Sequence, residues 1–206
     1  MPSTWLLLSE LGNSTWLLPA ATLIALVGGL SDWLPWPVVL RWLGATALTA
    51  LVVLASKIAF LGWGLGSQAL DFTGFSGHAA MSAAVYPPLL AWLGQALGPR
   101  QRRWPGAAIG IALALLIAAS RVPLHAHSVS EVVTGAALGL AATAFTLHRR
   151  PPALQRRGLG YLLAAGLLTA LVLRMAPLPT SHQLVVKLAQ WASGNEHVHQ
   201  RWRPRT

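Results

Sequence analysis

Six stretches of this chain, roughly 16–31, 37–57, 78–97, 105–120, 129–147 and 159–176, run on with almost no charge. Runs so long and so apolar are accommodated by helices whose backbone hydrogen bonds close within the segment, inside a lipid bilayer. Strands are excluded, because the runs are too long and lack period-two alternation. Their Leu, Ala, Val and Gly content suits closely packed membrane helices. The rest of the composition agrees: the chain is 54% hydrophobic and 10% charged, against roughly 25% charged in soluble domains. The expectation is an all-α polytopic membrane bundle of about six transmembrane helices, forming one domain over residues 1–206. Several runs are short. Sixteen residues rise about 24 Å, less than the hydrocarbon core of about 30 Å, as expected of helices whose ends open onto a polar site.

The charges lie between the runs. Arg100, Arg102 and Arg103 fill one gap, and Arg149, Arg150, Arg156 and Arg157 fill another two spans later. The positive-inside rule puts both gaps on the cytoplasmic side and turns 58–77 and 121–128 outward. A net charge of +10 so distributed points to phospholipid headgroups and not to nucleic acid. With six spans Arg174, Lys187, Arg201, Arg203 and Arg205 also lie outside; a seventh crossing or one span fewer is the alternative. Within the tail, 181–206, "HQLVVKLAQWASG" sets Leu184, Val185, Leu188 and Trp191 on one helical face, for a helix lying at the interface or packed on the bundle. His197 and His199 read as solvated. There is no cysteine, so disulfides and thiolate metal sites are excluded. The N-terminal sequence lacks a basic region and a cleavage site, and reads as no cleavable signal.

Two outward segments concentrate polar residues. "LDFTGFSGHAAMSAA" carries Asp71, Thr73, Ser76, Gly77 and His78, with Gln68 just before it and Lys57 upstream at the end of the second span. "SRVPLHAHSVSE" carries Arg121, His125, His127 and Glu131. Two crossings separate them, so both meet at one membrane face. Ionisable groups at membrane depth are costly and are retained for a function or a partner. Lys57 and Arg121 supply fixed positive charge, and Ser76 and Gly77 at a helix start supply donors. Together these form an anion site suited to phosphate, beside histidines able to attack phosphorus or move protons.

These residues resemble the type 2 phosphatidic acid phosphatase superfamily, integral-membrane lipid phosphatases that share a helical core with vanadium haloperoxidases. "SRVPLHAHSVSE" fits Ser-Arg, five residues, His, three residues, Asp, with Glu131 in the Asp position; "FSGH" fits Pro-Ser-Gly-His, with Phe75 for Pro. The resemblance covers residues 57–140 by motif. It implies that His127 is the nucleophile, forming a phosphohistidine, that Glu131 orients it, and that His78 is the general acid. Lys57, Arg121, Ser76 and Gly77 would bind the phosphoryl oxygens, with no metal or other cofactor. The family's first motif, Lys, six residues, Arg-Pro, is incomplete: no arginine lies between Lys57 and His78. Gln68, Asp71 or a tail arginine folding back would fill that place.

Plainer roles compete. Ser128 and Glu131 fit a capping box. Lys57 could reach the headgroups from a span end, and Asp71 could form an Asx turn before Thr73 and Gly74, or pair with Lys57 or Arg121. His125 reads as structural or as a substrate contact, alongside Gln68 and Asp71. Other functional classes are a metal hydrolase using His125, His127 and Glu131, a transporter without turnover, and a lipid-to-lipid phosphotransferase on the same fold. The favoured expectation is a lipid phosphatase of a bacterial inner membrane with its site towards the periplasm. By resemblance its substrates would be undecaprenyl pyrophosphate, phosphatidylglycerol phosphate, phosphatidic acid or lipid A phosphates.

Overall fold

The computed structural model describes residues 2–99, 102–148, 160, 164–166, 181–195 and 197–202. Among them are seven helices: α1 (Pro2–Leu11), α2 (Ser14–Leu30), α3 (Trp36–Trp63), α4 (Gly77–Leu97), α5 (Arg103–Ser120), α6 (Val129–Leu147) and α7 (Ser181–Ser193). The described residues hold no strand, only an isolated antiparallel bridge between Ser67 and Phe72. The sixth apolar run, 159–176, lies outside the described residues apart from Gly160 and 164–166, which are helical.

Among the described residues, four stretches are long and apolar enough to cross a membrane: Thr4–Leu30, Trp36–Trp63, Arg103–Ser120 and Val129–Leu147. The expected span at 78–97 forms as α4 but is not among the four. Its 21 residues reach about 31 Å, yet Ser82, Tyr86 and Gln95 make it more polar. The physical reason is its position. It packs against α2, α3, α5 and α6, and Ala79–Val85 are all buried. A helix enclosed by protein need not match lipid. The first run also extends further back than expected, through α1, with a break at Gly12 and Asn13. The Asn13 side chain caps α2 by accepting from the Thr15 N–H at 3.1 Å.

Pro87 and Pro88 inside α4 show how the bundle is held. Each lacks an N–H, which leaves the carbonyl four residues earlier without its helical donor. Both carbonyls find donors on other helices. The Thr143 hydroxyl of α6 donates to Ala83 O at 2.6 Å. The Trp42 indole of α3 donates to Ala84 O at 3.1 Å, and its ring meets Trp92 edge-on at 4.9 Å. Glycine lets the backbones approach: a Cβ on Gly110 of α5 would lie 2.5 Å from Pro87 Cα, and one on Gly135 of α6 would lie 2.7 Å from Ser76 O. The second contact fixes α6 against the start of α4, where the two polar clusters meet.

Candidate active site

α3 runs six residues past Lys57, ending at Gly64 in the left-handed conformation, φ +70°. Lys57 is therefore inside the helix and not at its end, because 58–63 are as helix-compatible as the run before them. The 65–76 loop folds back over it. Phe75 N–H donates to the Ser56 hydroxyl at 3.1 Å. Gly74, at φ +140°, comes so close that a Cβ there would lie 3.2 Å from Lys57 Cγ. No hydrogen bond to the Lys57 ammonium forms among the described residues, and it faces a cleft of about 560 Å³ lined also by Gly77, His78, Arg121, His127 and Arg201. The two clusters predicted to share a face do so.

Glu131 organises this site. It is fully buried. Its Oε2 lies 2.6 Å from His127 Nδ1 and accepts from Ser128 N–H at 3.3 Å, while Ser128 Oγ accepts from Glu131 N–H at 3.3 Å. The capping box and the histidine contact thus coexist on one carboxylate. Glu131 Oε1 accepts from the Thr73 N–H at 2.7 Å and from its hydroxyl at 2.6 Å. An ionised carboxylate only accepts, so the proton in the histidine contact is on Nδ1. His127 Nε2 then carries the lone pair, and no hydrogen bond reaches it among the described residues. Burial pushes the His127 imidazole below its ordinary value of 6.5; the bond to Glu131 opposes this, and Lys57 and Arg121 add to it.

Arg121 follows α5 and donates to the hydroxyl of Ser9 on α1; its Nε is buried with no partner among the described residues. Gly12 lies so close to His78 that a Cβ there would be 3.4 Å from the histidine Cβ, and Ser14 lines the cleft. The N-terminal segment is therefore part of the site wall. Sequence reasoning missed it, and its one signal is the polar "SELGNST" between apolar runs.

Other expected residues fall differently. Ser76 is the buried N-cap of α4, accepting from Ala79 N–H at 3.5 Å, and its own N–H donates to Glu131 O at 3.1 Å. Its neighbour Gly77 lines the cleft and Ser76 does not. Gln68, Asp71 and His125 line an adjoining cavity of about 690 Å³, which shares His127 and Arg201 with the cleft. His125, at φ +52°, turns the chain there. Asp71 forms neither the Asx turn nor a pair with Lys57 or Arg121, because Glu131 takes the Thr73 N–H and Arg201 takes the carboxylate at 3.0 Å.

The tail does fold back. α7 packs on α3, with Ala189 buried and Trp191 83% exposed, so the helix is packed on one side and open on the other. Asn195 Nδ2 donates to Gly62 O at 3.2 Å. His199 N–H donates to Leu61 O at 2.9 Å, and Trp202 meets Phe60 at 5.4 Å. This seats Val198, His199, Gln200 and Arg201 on the cleft, so His199 is part of its rim and not a free tail residue. Arg201 Nη2 lies 2.5 Å from Glu131 Oε2 and donates to the Thr73 hydroxyl at 3.3 Å.

Among the described residues no three His, Asp or Glu side chains are grouped as a metal ion requires. Taken together, the arrangement is a cationic cleft holding one histidine with a free ring nitrogen and a second histidine opposite. It suits an anion and nucleophilic or proton-transfer chemistry upon it.

The profile of the PAP2 superfamily matches residues 38–154. A Klebsiella pneumoniae protein described as "Uncharacterized 22.5 kDa protein in cps region" is 43% identical over 153 residues, covering 72% of this chain and 71% of its own. No solved structure matches.

Proposed function

From the premise that this chain belongs to the PAP2 superfamily, whose members are broadly phosphatases, we propose that it is a metal-independent membrane lipid phosphatase acting through a phosphohistidine. The observation that carries this reading is the contact between His127 Nδ1 and the buried Glu131, made beside Lys57, His78 and Arg121.

Lys57, Arg121 and the Gly77 N–H bind the phosphoryl oxygens and the charge that spreads over them in the transition state. Ser76 contributes by capping the helix that aims Gly77 and His78. His127 Nε2 attacks phosphorus. The Nε2–P bond forms as the bond to the leaving oxygen breaks, and His78 gives that oxygen its proton. Glu131 stabilises the imidazolium without taking its proton. Water then attacks phosphorus, gives a proton to His78 and releases phosphate as the N–P bond breaks.

The substrate is an amphiphile whose phosphate or diphosphate lies at headgroup level while its tail stays in lipid. Undecaprenyl pyrophosphate, phosphatidylglycerol phosphate, phosphatidic acid and lipid A phosphates are the classes to compare. By the arginine asymmetry the site faces the periplasm of a bacterial inner membrane. The test is phosphate release from these four lipids in detergent with EDTA present, by the wild-type chain and by His127→Ala. Release that survives EDTA and disappears in the mutant is expected. Release abolished by EDTA would replace the reading with a metal hydrolase, and release by the mutant would remove His127 as the nucleophile.

A further inference from the structure

Among the described residues, Arg201 is the one tail side chain tied to both polar clusters. It bonds Asp71 and Thr73 in the loop before α4, and Glu131 in α6. Its two carboxylate partners differ in kind. Glu131 is 0% exposed and already holds His127. Asp71 is 50% exposed, on a turn residue at φ +45°, so water screens that pair. A guanidinium offers five donors in a planar fork matched to phosphate. Arg201 is itself partly exposed, and it lines both the cleft and the adjoining cavity.

We infer that Arg201 is a phosphate-binding residue of this site: when a phosphate enters, its guanidinium leaves Asp71 for the phosphoryl oxygens while keeping Glu131. The inference rests on the phosphatase reading above. In the empty site Asp71 competes with the ligand for Arg201. The bonds from Asn195 and His199 to α3, with the Trp202 ring on Phe60, hold the arginine within reach of both. Glu131 and Thr73 fix the other side of the fork, so the exchange requires a side-chain shift and no movement of the tail backbone.

The test is binding of inorganic phosphate by the full-length chain in detergent, measured calorimetrically, with a thermal melt of each variant. Losing a charged hydrogen-bond partner is worth roughly tenfold or more in affinity, so Arg201→Ala should bind phosphate at least about tenfold more weakly, with Arg201→Lys in between. Asp71→Asn should bind phosphate more tightly than wild type, and should have no effect in the Arg201→Ala background. A clamp that merely holds the tail predicts the opposite sign for Asp71→Asn, so weaker binding there would overturn the inference. Equal affinity in Arg201→Ala and wild type would overturn it as well. Should Arg201→Ala fail to fold, Arg201→Lys and Asp71→Asn decide. Wild-type chain that binds no phosphate, or binds it equally after Lys57→Ala, would overturn the phosphatase reading itself and this inference with it.

Discussion

His127 Nδ1 and Glu131 Oε2 are 2.6 Å apart, although His127 lies outside α6 and Ser128 is its N-cap. The pair meets across the helix start and not along a helical face. The glutamate folds back to cap the helix, and in doing so presents the same oxygen to the imidazole. Replacing it should therefore disturb both chemistry and fold. Glu131→Gln should lower kcat by about a hundredfold or more, since the neutral amide neither fixes the productive tautomer nor balances the imidazolium. Glu131→Ala would leave Arg201 and Thr73 without their buried partner and should cost about 3–5 kcal/mol of stability. Phosphate release and thermal unfolding in the same detergent check the two effects.

The acid limb of the pH profile should report on His127. The neutral ring is the nucleophile, so protonation removes activity. Burial holds this group below 6.5, so kcat/KM should persist through that value and decline only at lower pH. The bond to Glu131 raises the His127 pKa, so its removal lowers it further. The residual activity of Glu131→Gln should accordingly keep its acid limb at still lower pH than wild type. A wild-type limb above 6.5 would contradict the burial of His127.

Thr73 donates twice to Glu131 Oε1. Thr73→Val keeps the backbone donor and removes the hydroxyl. It should cost about 1–3 kcal/mol of stability and both lower kcat and raise KM, because the hydroxyl positions Glu131 and also accepts from Arg201. Kinetics on a fixed lipid phosphate, with a parallel melt, separate the two.

Thr143→Val tests the support that the proline pair in α4 requires. It leaves Ala83 O without its donor and should cost about 1–3 kcal/mol, with little change in KM. Adding Pro87→Ala supplies a helical N–H to that same carbonyl and should restore part of the loss. Thermal melts of the single and double variants are the measurement.

Vanadate, a mimic of five-coordinate phosphorus, should inhibit release and protect the wild-type chain against heat. Protection should weaken clearly in Lys57→Ala, which removes one of the cationic groups facing the anion and leaves Arg121, Gly77 and Arg201.

What the sequence made legible follows from distance along the chain. The two clusters meet because α4 and α5 form one antiparallel pair, and the two-span spacing was enough to predict it. The His127–Glu131 contact is local, but it is the family resemblance and not the i, i+4 spacing that implies it, because His127 lies outside α6. The first charge after a long apolar run marks Lys57 as a helix end in the sequence, whereas the helix continues to the glycine that can adopt φ +70°. A hydroxyl beside a glycine suits a phosphate donor and a helix cap equally, and Ser76 is the cap. The Arg201–Glu131 contact spans 70 residues and Ser9–Arg121 spans 112. Neither leaves a periodic trace, so the tail arginine could be named as a candidate but not selected. The polarity of α4 was visible as Ser82, Tyr86 and Gln95, but that it reflects enclosure by protein depends on which helices surround it.

The position of Arg201 also orders the biogenesis of the site. Translation runs from the N-terminus, so Arg201 leaves the ribosome after Lys57, His78, Arg121, His127 and Glu131 have all been made. A nascent chain can insert its apolar helices and set Glu131 against His127 while the guanidinium is still untranslated. Full charge balance around that carboxylate is therefore reached last, when the tail settles on α3.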